Sequence, residues 1–491
     1  MWLRSDIATL SQITPDTAPY YNFHRTSSSP PPSSSSVPVK ALEKGCDLAT
    51  RPWVDNHWSL ILWKLAAMVA FDPEKESKPD EARWCWSTVM RQLLYRYERE
   101  LNEGIRPPLR KIANQDAPPA FPMVLCVTNI FWSARREDED ENPIEPHPEL
   151  ELTDGWYRLR AQIDLPMARA VRRGVIKIGR KIGFAGARLL TEKKDAMEIL
   201  DAYSSTFLVI SGNSSHLMPW HTKLGFTQGP CISTLHSLTA DGGVVAALDF
   251  VIVKAHPIAY LEFIQHEDGK RETIGPRNEA EEMQVNESWK KQREIEASKL
   301  RAEYEKKIAR YEGYIDRLER KAGGNLESIR GSDNYPPDHI DSLYDELEYP
   351  DTAATLMARI SPNDAAWLSL HVRKENEKGR ESVGEEIEKE LQSICPARQV
   401  RSFRVLIIQD ARTLRRPANR KAQLTIWDVT NITFDEGDKA GAFEAGQRFM
   451  ATNLNPQQPK AWMDCSPGSE VFLSTRRDTR WTKIKTIAAT T

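Results

Sequence analysis

The sequence predicts a multidomain α+β protein in which an all-α helical domain is followed by two small β-barrels, the second interrupted by a long helical stalk. Three observations predict this class. Apolar residues recur at helical spacing between residues 51 and 103, short strands with internal glycines follow between 121 and 254, and a long charged helix after residue 278 separates two groups of strands. Short curved strands with glycine corners are typical of a small closed barrel rather than of an open parallel sheet.

Composition excludes several classes of protein. At 491 residues the chain is long enough for about three ordinary domains. It is 40% hydrophobic and 28% charged, with a mean hydropathy of -0.55, and no apolar run approaches the roughly 20 residues that cross a bilayer. The first residues lack the charged-then-apolar pattern of a signal peptide. Six cysteines lie far apart without a CxxC pair, which indicates a reducing compartment rather than a disulfide framework.

The first ordered domain is predicted to be helical, over residues 51–118. Residues 1–50 contain the tract TSSSPPPSSSSVP, which buries too little apolar area to become ordered, so we expect disorder there. Residues 51–71 are apolar around most of a helical circumference, which predicts a buried helix. A second helix is expected over about 80–103, because Gly104 provides a C-cap and prolines follow it.

The first barrel is predicted over residues 119–260. Its expected strands are 121–132, 156–163, 175–189, 207–211 and 244–254, and the third is bent by Gly179, Gly183 and Gly186. Between residues 156 and 190 there are nine lysines and arginines and one acid, Asp164. A small barrel of this charge usually binds a polyanion.

A charged helical stalk is predicted over residues 278–397. Its first helix carries an apolar stripe at near-heptad spacing, formed by Leu300, Tyr304, Ile308, Tyr311, Ile315 and Leu318. Short helical pieces are expected at 339–349, 352–360 and 362–372, before a return helix over about 373–393. With 18 basic and 27 acidic residues, this region has a net charge of -9.

The second barrel is predicted over 261–277 and 398–491, on either side of the stalk. Its first strand is expected within 250–265 or just after it, and later strands at 400–411, 421–430, 447–454 and 469–485. Residues 398–491 contain 16 basic and nine acidic residues, for a net charge of +7.

Several segments resemble the DNA-binding region of the breast cancer type 2 susceptibility protein family. They are WSLILWKLAAM (58–68), LLYRYERE (93–100), VLCVTNI (124–130), ELTDGWYRLRAQID (151–164), WHTKLGF (220–226) and ADGGVVAALDFVIVKAHPI (240–258). Their order agrees as well, and the similarity covers about 50–485, dense to residue 280, weaker through the stalk and moderate after 400. The resemblance implies a helical domain, a first OB fold, and a second OB fold interrupted by a helical tower.

The resemblance also implies a function. It points to a non-enzymatic nuclear module that binds single-stranded DNA and helps load a RecA-type recombinase during double-strand break repair, without a cofactor. Three departures are expected: no convincing Phe-x-x-Ala recombinase-binding repeat is found, no third OB fold follows, and the acidic stalk disfavours duplex DNA at its tip. Two alternatives stay open. One is a scaffold that binds a small acidic partner with little DNA binding of its own, and the other is a single-strand-binding protein of telomeres or replication.

The second barrel carries the residues expected to bind single-stranded DNA. An OB fold combines a cationic groove with aromatic side chains on which bases stack. The predicted contacts are Arg401, Phe403, Arg404, Arg415, Arg416, Trp427, Arg476, Arg477, Arg480, Trp481 and Lys483. The alternative, that the aromatics fill the barrel core, stays open for Phe403 and Trp427 in their apolar strands. Trp481 has basic neighbours on both sides, which favours a role in DNA binding.

A small acidic protein is the second partner that the resemblance implies. In the resembled family, the helical domain and first OB fold hold such a protein in extended form. Arginines would provide a charged track and tryptophans would anchor apolar residues. The predicted contacts are Trp53, Trp58, Trp84, Arg91, Arg96, Arg158, Arg160, Arg172 and Arg173. The alternative for the arginines is an ordinary solvated face.

Other motifs carry little chemistry. His216, His221, Cys231 and His236 match no standard zinc-site spacing, so no metal is expected. The glycines at 179, 183 and 186 lack both GxGxxG spacing and a following Lys-Ser/Thr. No Ser/His/Asp arrangement or pair of catalytic carboxylates with supporting context is found, so the chain is not expected to be an enzyme.

Overall fold

The computed structural model describes residues 10, 12–21, 23, 37, 45–78, 80–134, 136–137, 143–191, 195–265, 269–330, 337–412, 420–434, 439–457 and 470–484. The chain divides into two compact units. Residues 1–257 and 403–491 form the first, and residues 258–402 form the second. The protein is mixed α+β, as predicted. Among the described residues, no helix is both long and apolar enough to span a membrane.

Three helices begin the first unit. They are α1 (Arg51–Phe71), α2 (Trp86–Tyr97, continued by a π-helical turn over Glu98–Asn102) and α3 (Pro108–Ala113). The Thr50 hydroxyl accepts a hydrogen bond from the Trp53 amide and caps α1, which has a proline in its first turn. Apolar residues cover most of α1 because it is packed on several sides, with Trp58 and Ile61 fully buried.

Some amino-terminal residues pack against these helices, so the expectation of disorder throughout 1–50 is wrong. Leu10, Ala18 and Phe23 are buried in the same hydrophobic cluster as α1. The Trp58 indole donates to the Ala18 carbonyl at 3.3 Å, and the Trp84 indole donates to the Tyr21 hydroxyl at 3.0 Å. The expectation followed from the Ser/Pro tract, which dominates the composition of residues 1–50. The buried area comes instead from the few apolar residues that precede the tract. That tract, TSSSPPPSSSSVP, lies outside the described residues apart from Val37.

The first barrel contains seven main strands, with an eight-residue helix after the third. They are β1 (Met123–Trp132), β2 (Pro148–Thr153), β3 (Arg158–Ile163), α4 (Leu165–Arg172), β4 (Lys181–Phe184), β5 (Arg188–Thr191), β6 (Thr206–Ile210) and β7 (Ser215–Met218). The sheet order is β5-β6-β3-β2-β1-β4-β7, and β3 and β6 run parallel. Helix α4 connects β3 to β4 and lies within the basic stretch 156–190; the Asp164 carboxylate caps it by accepting a hydrogen bond from the Met167 amide.

The second barrel contains β8 (Val245–Ala255), β11 (Gln399–Asp410), β12 (Lys421–Trp427), β13 (Arg448–Pro456), β14 (Glu470–Ser474) and β15 (Trp481–Ile484). Strand β8 pairs with both β11 and β13, β11 pairs with β12, and β12 runs parallel to β14. Two residue pairs join β14 to β13 and close the ring. The side chains that fill it include Leu248, Leu406, Leu424 and Leu473.

The predicted boundary between the barrels is wrong. The strand at 244–254 is predicted in the first barrel, while 250–265 is also a candidate first strand of the second. Leu248 lies opposite Ala451 and Ile252 opposite Ile408, so this strand belongs to the second barrel. A strand pattern does not show which sheet the strand joins, because its partners lie about 150–210 residues further along the chain. Residues 261–277, expected in the second barrel, fall in the second compact unit.

The second unit is a hairpin and a helical stalk. Its elements are β9 (Ala259–Gln265), β10 (Arg271–Arg277), α5 (Glu279–Ala322), α6 (Asn325–Arg330), α7 (Ile340–Asp345), α8 (Pro350–Arg359) and α9 (Pro362–Ile394). Antiparallel packing of α5 and α9 is supported by ion pairs between Arg293 and Glu388 and between Glu319 and Arg373. The return helix begins at Pro362, earlier than expected, because the predicted piece 362–372 continues into it.

Candidate nucleic-acid interface

The outer face of the second barrel carries an aromatic pair. In β11 and β12 the side chains alternate, and Leu406, Ile408, Leu424 and Ile426 are fully buried inside. Phe403 and Trp427 have the opposite parity and are half-buried on the outside. They are directly opposite in the ladder, with ring centroids 5.5 Å apart. Neither ring fills the barrel core.

A third aromatic residue extends this face, and the sequence analysis missed it. Phe472 in β14 lies opposite Gln423 of β12. Gln423 has the same outward orientation as Trp427 in that strand, so Phe472 lies on the same face of the sheet. Its neighbours Val471 and Leu473 are fully buried, while Phe472 is half-buried. The sequence EVFLS could have predicted this orientation. Aliphatic residues at both neighbouring positions fit a core-facing pair, which leaves the aromatic residue between them on the outer face.

The basic turn after β14 lies beside this aromatic pair. The Trp427 amide donates to the Thr475 hydroxyl at 3.0 Å, and the Thr475 amide donates to the Thr425 carbonyl at 3.0 Å. Arg476, Arg477 and Arg480 follow immediately and are exposed. The structure therefore brings together an aromatic face and three arginines, the two components that a single-strand site requires.

Trp481 has a different environment from the one expected. Its ring lies 5.2 Å from Phe443 and 6.1 Å from Phe449, both of which are buried, and it also contacts Phe250. It is half-buried in β15, opposite Ala451. Trp481 therefore packs on an aromatic cluster of the barrel interior, whereas Phe403 and Trp427 lie outside. The basic neighbours of Trp481 did not reveal this packing.

The remaining predicted cations of this barrel fall into three groups. Arg404 donates to the backbone carbonyls of His256 and Gly441, each at 2.6 Å, and burial lowers its pKa. Lys483 is exposed in β15, and Arg401 is exposed but lies in the second compact unit. Arg415 and Arg416 lie outside the described residues.

On the first barrel, the arginines of β3 form ion pairs with carboxylates of the same chain. Arg158 forms ion pairs with Asp16 at 2.7 Å and Glu151 at 3.4 Å. Arg160 pairs with Glu149 and lies over the ring of Phe207, 4.9 Å from its centroid. The basic character of residues 156–190 is thus partly neutralised within the chain, by acids that lie outside that stretch.

The predicted acidic-partner residues are divided between the core and the surface. Trp53, Trp58 and Trp84 are all buried in the helical domain. Arg172 binds the Pro146 carbonyl at 3.0 Å and Glu145 at 3.1 Å, and Arg173 is exposed at the end of α4. The tryptophans are thus core residues in this structure.

Arg91 and Arg96 instead line an open cleft of about 330 Å³, together with Lys64, Gln92, Tyr95 and Trp156. The guanidinium of Arg96 lies 5.2 Å from the centre of the Trp156 ring. Burial lowers the Arg96 pKa to about 10. Three cations and two aromatic rings therefore surround this cleft.

A buried carboxylate holds the helical domain against the first barrel. Glu100 accepts hydrogen bonds from Trp53 at 3.1 Å, Tyr157 at 2.7 Å and Arg110 at 2.8 Å. Burial opposes its ionisation, but hydrogen bonds from His57, Tyr157 and Arg110 prevail and lower the Glu100 pKa to about 2.

His57 is neutral in this network. Its Nδ1 accepts from Arg96 at 2.9 Å, so Nε2 carries the proton and lies 3.3 Å from Glu100. Burial lowers the His57 pKa to about 4.

The histidines and cysteine considered for zinc do not assemble a site. His216 Nδ1 lies 3.1 Å from the Cys231 thiol, and burial raises the pKa of that thiol to about 12. Within the described ranges, no three His, Cys, Asp or Glu residues are placed to hold a metal ion.

The strand order and the helix between the third and fourth main strands are consistent with an OB fold in the first barrel. In both barrels the third strand runs parallel to a later strand, β3 to β6 and β12 to β14. Residues 107–228 match the family model described as "BRCA2, oligonucleotide/oligosaccharide-binding, domain 1".

Two curated proteins of Arabidopsis thaliana are similar over a longer stretch. Protein BREAST CANCER SUSCEPTIBILITY 2 homolog A is 28% identical and homolog B is 29% identical, each over 306 residues. These matches cover 60% of this chain and 26% of each relative. The predicted resemblance to the breast cancer type 2 susceptibility protein family is thereby confirmed. The matched region spans about a quarter of the length of these relatives.

Proposed function

We propose that this chain is a single-stranded DNA-binding module that acts in homologous recombination and helps load a RecA-type recombinase at double-strand breaks in the nucleus. In this proposal the helices of 51–113 form the helical domain, the two barrels are the first and second OB folds, and the stalk is the tower. The module acts by binding and has no catalytic role. Its similarity to the breast cancer type 2 susceptibility proteins supports the role in recombination.

The observation that carries the DNA-binding role is the outward-facing pair of Phe403 and Trp427 beside the basic turn. OB folds bind oligonucleotides on the face of their second and third strands, and β11 and β12 hold those positions in the second barrel. Each base stacked on an aromatic side chain contributes about 1–3 kcal/mol, and arginines add salt-sensitive affinity. The main stacking residues of this proposal are therefore Phe403, Trp427 and Phe472.

The test is binding of a fluorescein-labelled oligothymidine to the whole chain, followed by fluorescence anisotropy. We expect micromolar or tighter affinity that falls steeply as salt increases. A matched duplex oligonucleotide should bind more weakly, because its bases are not available to stack. Absence of binding at low salt would overturn the proposal.

A second proposed function is to hold a small acidic protein against the helical domain and first barrel. The cleft lined by Lys64, Arg91, Arg96, Tyr95 and Trp156 favours it, because it combines positive charge with aromatic surface. Purification from cells, with associated proteins identified by mass, tests this role. If Arg91→Glu removes an acidic protein while oligothymidine binding is unchanged, the two functions belong to separate surfaces.

A further inference from the structure

Two large aromatic residues stack in the open where the helical domain meets the first barrel. Phe71 is the last residue of α1, and Trp220 lies just after β7. Their ring centroids are 5.9 Å apart with an interplanar angle of 23°, and the residues are 75% and 73% exposed. Exposed aromatic surface of this kind usually marks a binding site.

The stack adds nothing to either hydrophobic core. Val69 in the same helical turn as Phe71 is buried, as is Gly225 beyond the Trp220 loop. The His221 ring lies nearly perpendicular to Trp220, at 89° and with its centroid 5.8 Å away, so it flanks the stack rather than continuing it. An exposed aromatic face can stack with a nucleobase of any identity.

Cations lie close to this surface. The Lys181 ammonium donates one hydrogen bond to the Thr222 carbonyl at 2.6 Å, and Lys223 is exposed next to it. Lys64 precedes Phe71 by seven residues, so both lie on the same side of α1. The surroundings of Lys64 lower its pKa, first through burial and then through the charges of Arg96 and Lys181.

The nearest carboxylate in sequence does not neutralise these lysines. Asp72 forms ion pairs with Arg83 at 3.1 Å and Lys75 at 3.3 Å. The surface therefore combines stacked aromatic rings with positive charge, which complements a phosphate backbone carrying unpaired bases.

We propose that Phe71 and Trp220 form a second stacking platform for single-stranded nucleic acid, with Lys64, Lys181 and Lys223 as its phosphate contacts. This inference shares its ligand class with the proposed function but uses a surface separate from the outer face of the second barrel, and Lys64 also lines the cleft proposed for an acidic protein. A nucleic acid fits better than an acidic peptide, because a base can continue the stack of these two exposed rings.

The test compares two labelled oligonucleotides of equal length, oligothymidine and an abasic strand that keeps the phosphates but lacks the bases. We expect Trp220→Ala to weaken oligothymidine binding by about 5-fold or more, in line with the loss of one stack. Binding of the abasic strand should stay unchanged, and Trp220→Phe should restore most of the affinity. Trp132→Ala is the matched control, because Trp132 is another exposed tryptophan of the first barrel.

The same measurements in a Phe403→Ala/Trp427→Ala background separate this platform from the outer face of the second barrel. A Trp220 effect that persists there supports the platform, even if the outer-face substitutions themselves change nothing. Equal affinities of Trp220→Ala and wild type for oligothymidine would overturn it. An equal loss of affinity for oligothymidine and for the abasic strand would also overturn it. The same holds if Trp220→Ala weakens binding of an Asp/Glu-rich peptide but does not change binding of oligothymidine.

Discussion

The Tyr157 phenol of the first barrel donates a hydrogen bond to the Glu100 carboxylate of the helical domain, 2.7 Å away. Glu100 follows α2 within a π-helical turn, and Tyr157 is buried in the barrel cluster. A charged acceptor inside an interface requires several donors, and Trp53 and Arg110 supply two more. This contact joins the two parts of the first unit.

Removing one donor should destabilise this interface. We expect Tyr157→Phe to lower the free energy of unfolding by about 1.5–3 kcal/mol, because the bond is to an ionised group. Urea unfolding followed by tryptophan fluorescence measures the effect. The control is Tyr95→Phe, since Tyr95 is exposed. An equal, small effect of both substitutions would contradict the assigned role of Glu100.

Stability should fall as the pH falls below about 6.5. The unfolded chain gains a proton on His57 near pH 6.5, whereas the folded protein resists it until about pH 4. Unfolding therefore becomes easier across this window, by at most about 3 kcal/mol.

Glu100 contributes at lower pH. Its folded pKa of about 2 lies below its usual value near 4.5, so its contribution to stability is lost as the pH falls between those values. Urea midpoints measured from pH 7 to 4 should decrease, and His57→Gln should flatten the decrease above pH 4.5. An unchanged slope in that variant would disprove the assignment, and exposed His221→Gln is the control.

Substitutions of the outer and inner aromatic residues of the second barrel should have different effects, on DNA binding and on stability respectively. Phe403→Ala combined with Trp427→Ala should weaken oligothymidine binding by about 10-fold or more, while the barrel stays folded. Trp481→Ala should instead destabilise the barrel by about 3 kcal/mol, because it removes packing on Phe443 and Phe449. Anisotropy and thermal unfolding measure the two effects. If Trp481→Ala lost DNA binding without loss of stability, the assignments would have to be exchanged.

Charge reversal of the basic turn should change the salt dependence of binding. Arg476→Glu, Arg477→Glu and Arg480→Glu together should weaken binding and reduce the slope of log K against log salt by about 2, at about 0.7 per phosphate contact. Arg172→Glu with Arg173→Glu provides a control on the first barrel. A slope that stays at the wild-type value would place the phosphate contacts elsewhere.

An ion-pair network in the second unit should stabilise the attachment of its hairpin to the long helices. Arg398 binds Glu262 at 2.7 Å and Glu282 at 2.8 Å, and Arg277 binds the same two acids at 2.7 and 3.3 Å. Hydrogen bonding from Arg398 is the main cause of the lowered Glu262 pKa. Arg398→Met leaves two mostly buried carboxylates with one cation, so we expect a loss of about 3 kcal/mol. Faster amide exchange in β9 and β10 would show it, whereas Arg359→Met on the exposed surface of α8 should have no effect there.

Periodicity alone predicted most of the secondary structure. The apolar circumference of 51–71 and the stripe of Leu300, Tyr311 and Leu318 specified helices, because helical spacing is a property of neighbouring residues. The aromatic and basic residues of 400–485 likewise indicated a nucleic-acid surface, although they did not show which rings face outward. Phe403 and Trp481 have similar sequence surroundings and opposite environments in the barrel.

The sequence by itself determined the resemblance to the breast cancer type 2 susceptibility protein family, the mixed α+β class and the composition of each region, since these depend on residue identity and local spacing. Only the tertiary structure decided which of the two barrels residues 245–255 join, and showed that acids such as Asp16 and Glu149 partly neutralise the first barrel. It also placed Phe71 against Trp220, residues 149 positions apart in the chain. Strand pairing, ion pairing and ring stacking bring distant segments together, and no local pattern records which segments will meet.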